Sequence, residues 1–297
     1  MVVIGNFDGV HLGHQALLEF AAKQRPDQPL VAVTFEPHTM AVVRPQAAPA
    51  RLTPAAFKEQ LLRQHGVADV VVVPFDTGVS SWAPDEFVAR VLAPLQPSVL
   101  VVGEGFRFGH RAAGTVDTLI AARTHYDFDV TVLALVERET ASGPAAVSSS
   151  LIRARLADGE VEAAAGMLGR DHRVSGTVVP GDRRGRALLG FPTANLPADP
   201  GVAVPADGVY AGWLTRVDDP GKPMPAAISV GTNPTFNGVQ RRVESYVLDR
   251  DDLELYGVAV DVDFSCRIRG QITFDSIEPL IEQMHADVDR ARALLTP

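Results

Sequence analysis

Ten residues constrain this chain more than any other stretch: Gly5-Asn6-Phe7-Asp8-Gly9-Val10-His11-Leu12-Gly13-His14. An apolar run, residues 1–4, precedes them, and an apolar, helix-like run, residues 15–22, follows. A short strand, a glycine-containing turn and a helix start make the first βα unit of a parallel α/β domain. Gly13 lets a large anion approach the backbone, and a helix N-terminus offers unpaired N–H groups and a partial positive charge. His11 and His14 can both donate to phosphate oxygens and stabilise charge that develops in phosphoryl or nucleotidyl transfer. The same spacing also fits a plain turn with two surface histidines. Two histidines alone are too few ligands to define a metal centre.

The full string resembles the HxGH nucleotidyltransferase superfamily. In its longer form, GxFDGxHxGH, it closely resembles the adenylyltransferase half of the bacterial bifunctional riboflavin kinase/FAD synthetase family. The resemblance implies a Rossmann-like fold and adenylyl transfer from ATP to FMN. It also implies that His11 and His14 are catalytic, with Gly5, Phe7, Asp8, Gly9 and Gly13 around the nucleotide. The residues by themselves specify only a phosphate site.

Further strands bring more residues to the same rim, because ligands of an open parallel sheet sit beyond the strand carboxyl ends. Residues 30–35 read as a second strand ending at Glu36-Pro37-His38, and His38 joins the rim. The family's FxPHP pattern is matched there except that Thr39 replaces the second proline, and it implies a flavin-lining His38. Thr53 reads as the N-cap of a helix with Pro54 in its first turn. Residues 67–74, 98–102 and 130–136 read as strands, and 84–91 as a helix. After the fourth strand, Gly103-Glu104-Gly105-Phe106-Arg107-Phe108-Gly109 resembles the family's VGxDFRFG or VGxNFRFG, implying nucleotide contacts for the positions of Gly105 and Arg107. Gly105 stands where the family has Asp or Asn.

Ser148-Ser149-Ser150-Leu151-Ile152-Arg153 opens a helix. The hydroxyls can serve simply as caps; Arg153, one turn inward, can present its fork to an anion. The string resembles the family's ISSTxIR, which implies triphosphate binding by Ser149, Ser150 and Arg153. A second helix, residues 161–168, ends at Gly169.

From Asp171 the segments become short, β-branched and alternating, with Gly, Pro and Asp between them, as in a small antiparallel barrel. The boundary therefore falls near Gly169: residues 1–169 as an adenylyltransferase domain and 170–297 as a kinase domain. Gly181-Asp182-Arg183-Arg184-Gly185-Arg186 is a basic loop able to close on phosphates, or a solvated turn. In Leu189-Gly190-Phe191-Pro192-Thr193-Ala194-Asn195, Thr193 and Asn195 lie two apart on an extended segment and so share a side. Their oxygens suit Mg²⁺. The string GRxLGFPTAN closely resembles the riboflavin kinase signature. That resemblance implies Thr193 and Asn195 as metal ligands, and Gly181, Arg183, Gly185 and Arg186 at the nucleotide. Phe191, Tyr210 and Arg267 are implied at the flavin. A lone strand carboxylate is by default a solvent-facing ion-pair partner; Glu244 matches the family's catalytic glutamate. Such a carboxylate can take the proton of a primary hydroxyl and aim it at a γ-phosphate. Residues 275–295 read as an amphipathic closing helix with Leu280, Ile281, Met284, Val288, Ala291 and Leu294 as its apolar stripe.

Composition narrows the remaining classes. At 297 residues the chain suits one or two domains, with 46% hydrophobic and 21% charged residues as in ordinary soluble proteins. Cys266 is the single cysteine, which excludes an intrachain disulfide and fits a reducing cytoplasm. A net charge of −9 argues against a broad nucleic-acid-binding face. The longest apolar runs, such as residues 67–75, are too short to span a membrane, and no signal peptide is visible. The chain begins almost inside its first strand, where the resembling family has a short lead-in, so the expectation is an N-terminus either trimmed or misassigned.

The expected function is thus flavin cofactor synthesis, riboflavin to FMN to FAD, with ATP and Mg²⁺. Two alternatives stand beside it. In one, the departure at Gly105 makes the adenylyltransferase half weak, inactive or selective for another nucleotide. In the other, the chain is a non-catalytic flavin-binding module.

Overall fold

The computed structural model describes residues 1–140, 143–180, 192–235, 238–250 and 252–295. Two compact units divide the chain, Met1–Ser149 and Ser150–Pro297.

The first unit is built on five parallel strands: β1 (Val2–Ile4), β2 (Val31–Glu36), β3 (Asp69–Pro74), β4 (Val99–Gly103) and β5 (Asp129–Leu133). Their order is β3-β2-β1-β4-β5. The chain winds outward from β1 to β3, then crosses to β4 on the other side of β1. The strand order reverses between β1 and β4, which is where such sheets bind ligands. Alternate strand residues serve opposite layers. Val3, Ala32 and Val101 pack with Leu17, Leu18 and Ala21 of α1 (Leu12–Gln24), while Val2, Ile4, Val33, Phe35, Leu100 and Val102 pack in the other layer with Phe87, Leu92 and Leu119. The strands are therefore apolar on both faces, as parallel strands covered by helices must be.

Several local features depart from the sequence expectations. A short helix α2 (Thr39–Val43) follows His38, and a hairpin of β6 (Glu137–Thr140) and β7 (Gly143–Ala146) follows β5. Neither was expected. Helix α3 (Ala55–Gln64) has Pro54, not Thr53, as its N-cap. Thr53 does not cap because its hydroxyl is taken up by the opening turn. Residues 84–91 are helical in pieces. Helix α4 (Thr77–Ser80) precedes α5 (Pro84–Phe87), which runs into a π-helical turn over Val88–Leu92, and α6 (Val116–Ala122) follows β4.

Helix α7 (Ser149–Ala157) begins at the division and α8 (Val161–Leu168) follows; α8 stops at Gly169, which takes a left-handed φ of 73°. The second unit is then antiparallel: β8 (His172–Thr177), β9 (Ala194–Pro197), β10 (Gly208–Arg216), β11 (Met224–Thr235), β12 (Gly238–Val247) and β13 (Ala259–Gly270). The order is β8-β13-β10-β11-β12-β9. Val179, just beyond β8, bridges to Asn195 on β9, so the two edge strands meet and the barrel nearly closes. Helix α9 (Ile277–Leu295) lays Met284, Val288, Ala291 and Leu294 on Ala211, Ala227 and Leu248. Within that stripe Asp287 is buried, and Arg269 donates to it from Nε at 2.9 Å and Nη2 at 2.7 Å. An α/β unit followed by a small antiparallel barrel and a closing helix is the order expected from the sequence.

Candidate active sites

The opening turn of the first unit departs from ordinary backbone geometry. Phe7, Gly9 and Val10 have φ of 49°, 86° and 38°. A positive φ at a β-branched residue such as Val10 is a true outlier, and such outliers persist only where the surroundings over-determine them. Phe7 and Val10 are fully buried, and Asp8, Thr53 and Ser149 tie the turn to its surroundings. The Asp8 carboxylate accepts from the backbone N–H of Leu52 at 2.9 Å and of Thr53 at 3.1 Å. The Thr53 hydroxyl accepts from Gly9 N–H at 3.1 Å. Ser149 Oγ donates to the Asp8 carbonyl at 2.8 Å. Asp8 thus braces the turn from below, and Ser149 fastens it to the start of α7.

His11 is the N-cap of α1, and its ring stacks on His14 with centroids 3.7 Å apart and planes 20° apart. Phe7 meets His14 edge-on at 5.2 Å. A Cβ on Gly13 would lie 3.2 Å from the His11 ring, so glycine is what lets the ring lie against the helix start. Burial first, then the neighbouring His11 and Lys58, hold the His14 imidazole well below its ordinary pKa. His14 is therefore neutral near pH 7. Its Nδ1 is buried with no hydrogen-bond partner, which favours the tautomer carrying its proton on Nε2, since a buried unpaired donor is costly.

His38 caps α2, its Nδ1 accepting from Met40 N–H at 3.2 Å. That assigns the proton of the neutral ring to Nε2. Thr39, at the position where the family has proline, accepts from Asn6 Nδ2 at 3.2 Å, so the departure ties the His38 loop to the opening turn.

Gly105 has φ 75°, and a Cβ built there meets nothing within 4 Å. A left-handed position is tolerated by Gly, and less easily by Asn and Asp. Arg107 is exposed beside it, while Phe108 turns into the core against Phe87.

Sequence reasoning missed Lys58. A lysine in an amphipathic helix reads as solvent-facing, yet this one is 8% exposed. Its ammonium donates to the carbonyls of Asn6 at 3.4 Å and Phe35 at 3.3 Å, at the ends of β1 and β2. Glu36 lies 3.9 Å away and also pairs with Arg51 at 3.3 Å.

In the second unit Glu244 stands directly opposite Asn195 in the β12–β9 pairing. Such a pair shares one face, and the flanking Val243 and Leu196 are buried on the other. Asn195 Nδ2 donates to the Thr193 carbonyl at 3.0 Å and hydroxyl at 3.1 Å. Thr193, Asn195 and Glu244 are thus brought together. Asn195 presents its amide oxygen rather than its nitrogen, and with Thr193 Oγ1 it forms a hard oxygen pair suited to Mg²⁺. Among the described residues no group of three or more His, Cys, Asp or Glu could hold a metal.

Tyr210 is fully buried; its hydroxyl donates to the Ala206 carbonyl at 2.5 Å and its ring meets Phe264 edge-on at 5.4 Å. Arg267 donates from Nη1 to the Asp158 carbonyl at 2.8 Å, and its guanidinium lies so close to Gly159 that a Cβ there would be 2.6 Å from it. The motif 148–153 is split: Ser149 falls in the first unit, Ser150 and Arg153 in the second. Gly181, Arg183, Gly185, Arg186 and Phe191 lie outside the described residues.

A doubly wound parallel sheet with a histidine pair at its rim, followed in the chain by a barrel that sets a carboxylate beside hard oxygen ligands, defines a two-part phosphotransfer protein. Residues 1–150 match the FAD synthetase family and residues 168–295 the riboflavin kinase family. A bifunctional riboflavin kinase/FMN adenylyltransferase of Escherichia coli K12 is 35% identical over 98% of this chain and 91% of its own. One of Listeria monocytogenes is 35% identical over 99% and 91%. The chain belongs to the bifunctional riboflavin kinase/FMN adenylyltransferase family. A solved structure from Streptococcus pneumoniae, described as a macrolide-efflux protein, is 32% identical with a TM-score of 0.85, covering 98% of this chain and 93% of that one. Among the described residues no helix is long and apolar enough to cross a membrane.

Proposed function

We infer that the chain makes FAD from riboflavin in two steps, riboflavin + ATP → FMN + ADP and then FMN + ATP → FAD + pyrophosphate. The observation that carries this is the match to both families, in order, across nearly the whole chain. Incubation with riboflavin, ATP and Mg²⁺, followed by chromatographic separation of the flavins, tests it directly. Accumulation of neither FMN nor FAD overturns the reading.

In the kinase step Glu244 takes the proton of the riboflavin primary hydroxyl as its oxygen attacks the γ-phosphate. Thr193 and Asn195 would hold Mg²⁺ through their side-chain oxygens, and the ion would supply positive charge to offset that of the phosphates. Gly181, Arg183, Gly185 and Arg186 are assigned to the nucleotide and Phe191 to the flavin. Tyr210 and Arg267 shape the flavin site from behind, since both side chains are engaged within the unit.

In the adenylyl step the FMN phosphate attacks the α-phosphate of ATP. His11 and neutral His14 donate from their rings to the oxygens on which charge develops. Gly5, Phe7, Gly9 and Gly13 give the backbone surface, braced by Asp8. Gly105 and Arg107 border the nucleotide, His38 lines the flavin side, and Ser149, Ser150 and Arg153 bind phosphate oxygens. The kinase domain is taken to begin at Arg170. A cytoplasmic setting, without nucleic acid or membrane partners, fits the single cysteine and the acidic charge.

Gly105 favours a second reading, in which the adenylyl step is present but slow. A direct comparison of the two rates in one preparation separates the readings.

A further inference from the structure

Lys58 is a buried cation that neither half of the reaction uses. Taking an ammonium out of water is costly, and a buried one is retained only where partners compensate it. Its donors are directed at three points: the Asn6 carbonyl, the Phe35 carbonyl and the Glu36 carboxylate. Asn6 opens the strained turn that ends in His11 and His14, and it also receives the Thr34 hydroxyl at 3.2 Å. Phe35 and Glu36 immediately precede Pro37 and His38. One ammonium therefore joins the two loops that carry His11, His14 and His38. With these partners and 8% exposure, it does not reach out to substrate.

We propose that Lys58 is a positioning residue for adenylyl transfer, holding the HxGH turn and the His38 loop in register and setting a positive charge near His14. The inference rests on the adenylyltransferase reading of the first unit. The groups facing Lys58 are Glu36, Asp8 and Arg51, and those bearing on His14 are His11 and Lys58 itself. Within these, Lys58 and His11 oppose protonation of His14. Burial is the main reason that His14 is a neutral donor; Lys58 adds to it, so removing Lys58 lets the imidazole protonate at somewhat higher pH.

The test compares the full chain with Lys58→Met, which keeps length and loses charge, and Lys58→Arg, which keeps charge. FAD formation from supplied FMN is followed from pH 5.5 to 8.5, with kcat and KM resolved for ATP and FMN. FMN formation from riboflavin is measured in the same preparations. The expected result is a loss of about tenfold or more in adenylyl kcat for Lys58→Met, since small misplacements of reacting groups are costly. KM should change less than kcat, and the acidic limb should move to higher pH. Lys58→Arg should retain the parental limb, and the kinase rate should be unchanged in both. An unmoved limb with parental kcat in Lys58→Met overturns the proposal. So does a loss of rate without any movement of the limb in Lys58→Met, or a limb displaced equally in Lys58→Arg, for then the residue is only structural. A parent chain that forms FMN but no FAD overturns the underlying reading and this inference with it.

Discussion

Asn195 and Glu244 stand directly opposite each other across the β9–β12 pairing, on the face opposite that of the buried Val243 and Leu196. Glu244→Gln keeps the shape and removes the carboxylate proposed as the base. FMN formation should fall by about 10²–10⁴, the usual contribution of a general base. FAD formation from supplied FMN should stay at the parental rate. Separate flavin assays check this, and a parallel fall in both activities would sink the two-site reading.

The His11–His14 stack predicts the complementary result. His14→Ala removes one of the donors proposed for the transferring phosphate, a loss of about 10²–10³ in rate at sites of this kind. FMN formation should be nearly unchanged. A variant that makes FAD as fast as the parent shows that the histidines here form only a turn.

Gly105 has the backbone conformation that Asn also adopts, and open space where a side chain would go. Gly105→Asn should therefore meet no neighbouring atom, at a smaller backbone cost than other side chains carry at this φ, and add one polar contact. Adenylyl kcat/KM for ATP should rise about 2- to 13-fold, the worth of one net hydrogen bond, with the kinase unaffected. An unchanged or lowered value means the site is organised around glycine, and the reading with another nucleotide gains weight.

The buried Asp8 carboxylate satisfies the N–H groups of Leu52 and Thr53. Asp8→Ala strands these donors, at about 1–3 kcal/mol for each group left unsatisfied. The first unit should melt earlier and lose adenylyl transfer, while kinase activity persists below that transition. Calorimetry with paired activity assays distinguishes this from a direct nucleotide contact, which would spare the melting temperature.

The lowered pKa of His14 makes the first unit sensitive to acid. An unfolded imidazole takes up its proton near the ordinary value of about 6.5, and the folded one only at lower pH. Below about pH 6.5 the unfolded chain binds more protons, so stability falls as pH drops. In His14→Gln this dependence should be shallower between pH 7 and 5.5. Melting curves of the two proteins across that range provide the comparison; identical slopes would mean that His14 is not held neutral.

The sequence by itself determined the order of the two units, the strand-turn-helix that opens the chain and the string around Thr193 and Asn195. These are local patterns, because a turn, a helix start and a two-residue strand repeat are each set by neighbours in sequence. The closing helix was legible for the same reason, its apolar stripe being a matter of helical period. Tertiary structure decided what the polar groups do once distant segments meet. Asp8 is spent on backbone 44 residues away, and Thr53 serves that turn instead of capping its own helix. Lys58 is buried at the ends of two strands, Asp287 lies within an apolar stripe because Arg269 on β13 reaches it, and Glu244 meets Asn195 only through pairing of β12 with β9. A buried polar group is tolerated only when it finds a partner, and the partner comes from an element whose position no local pattern records.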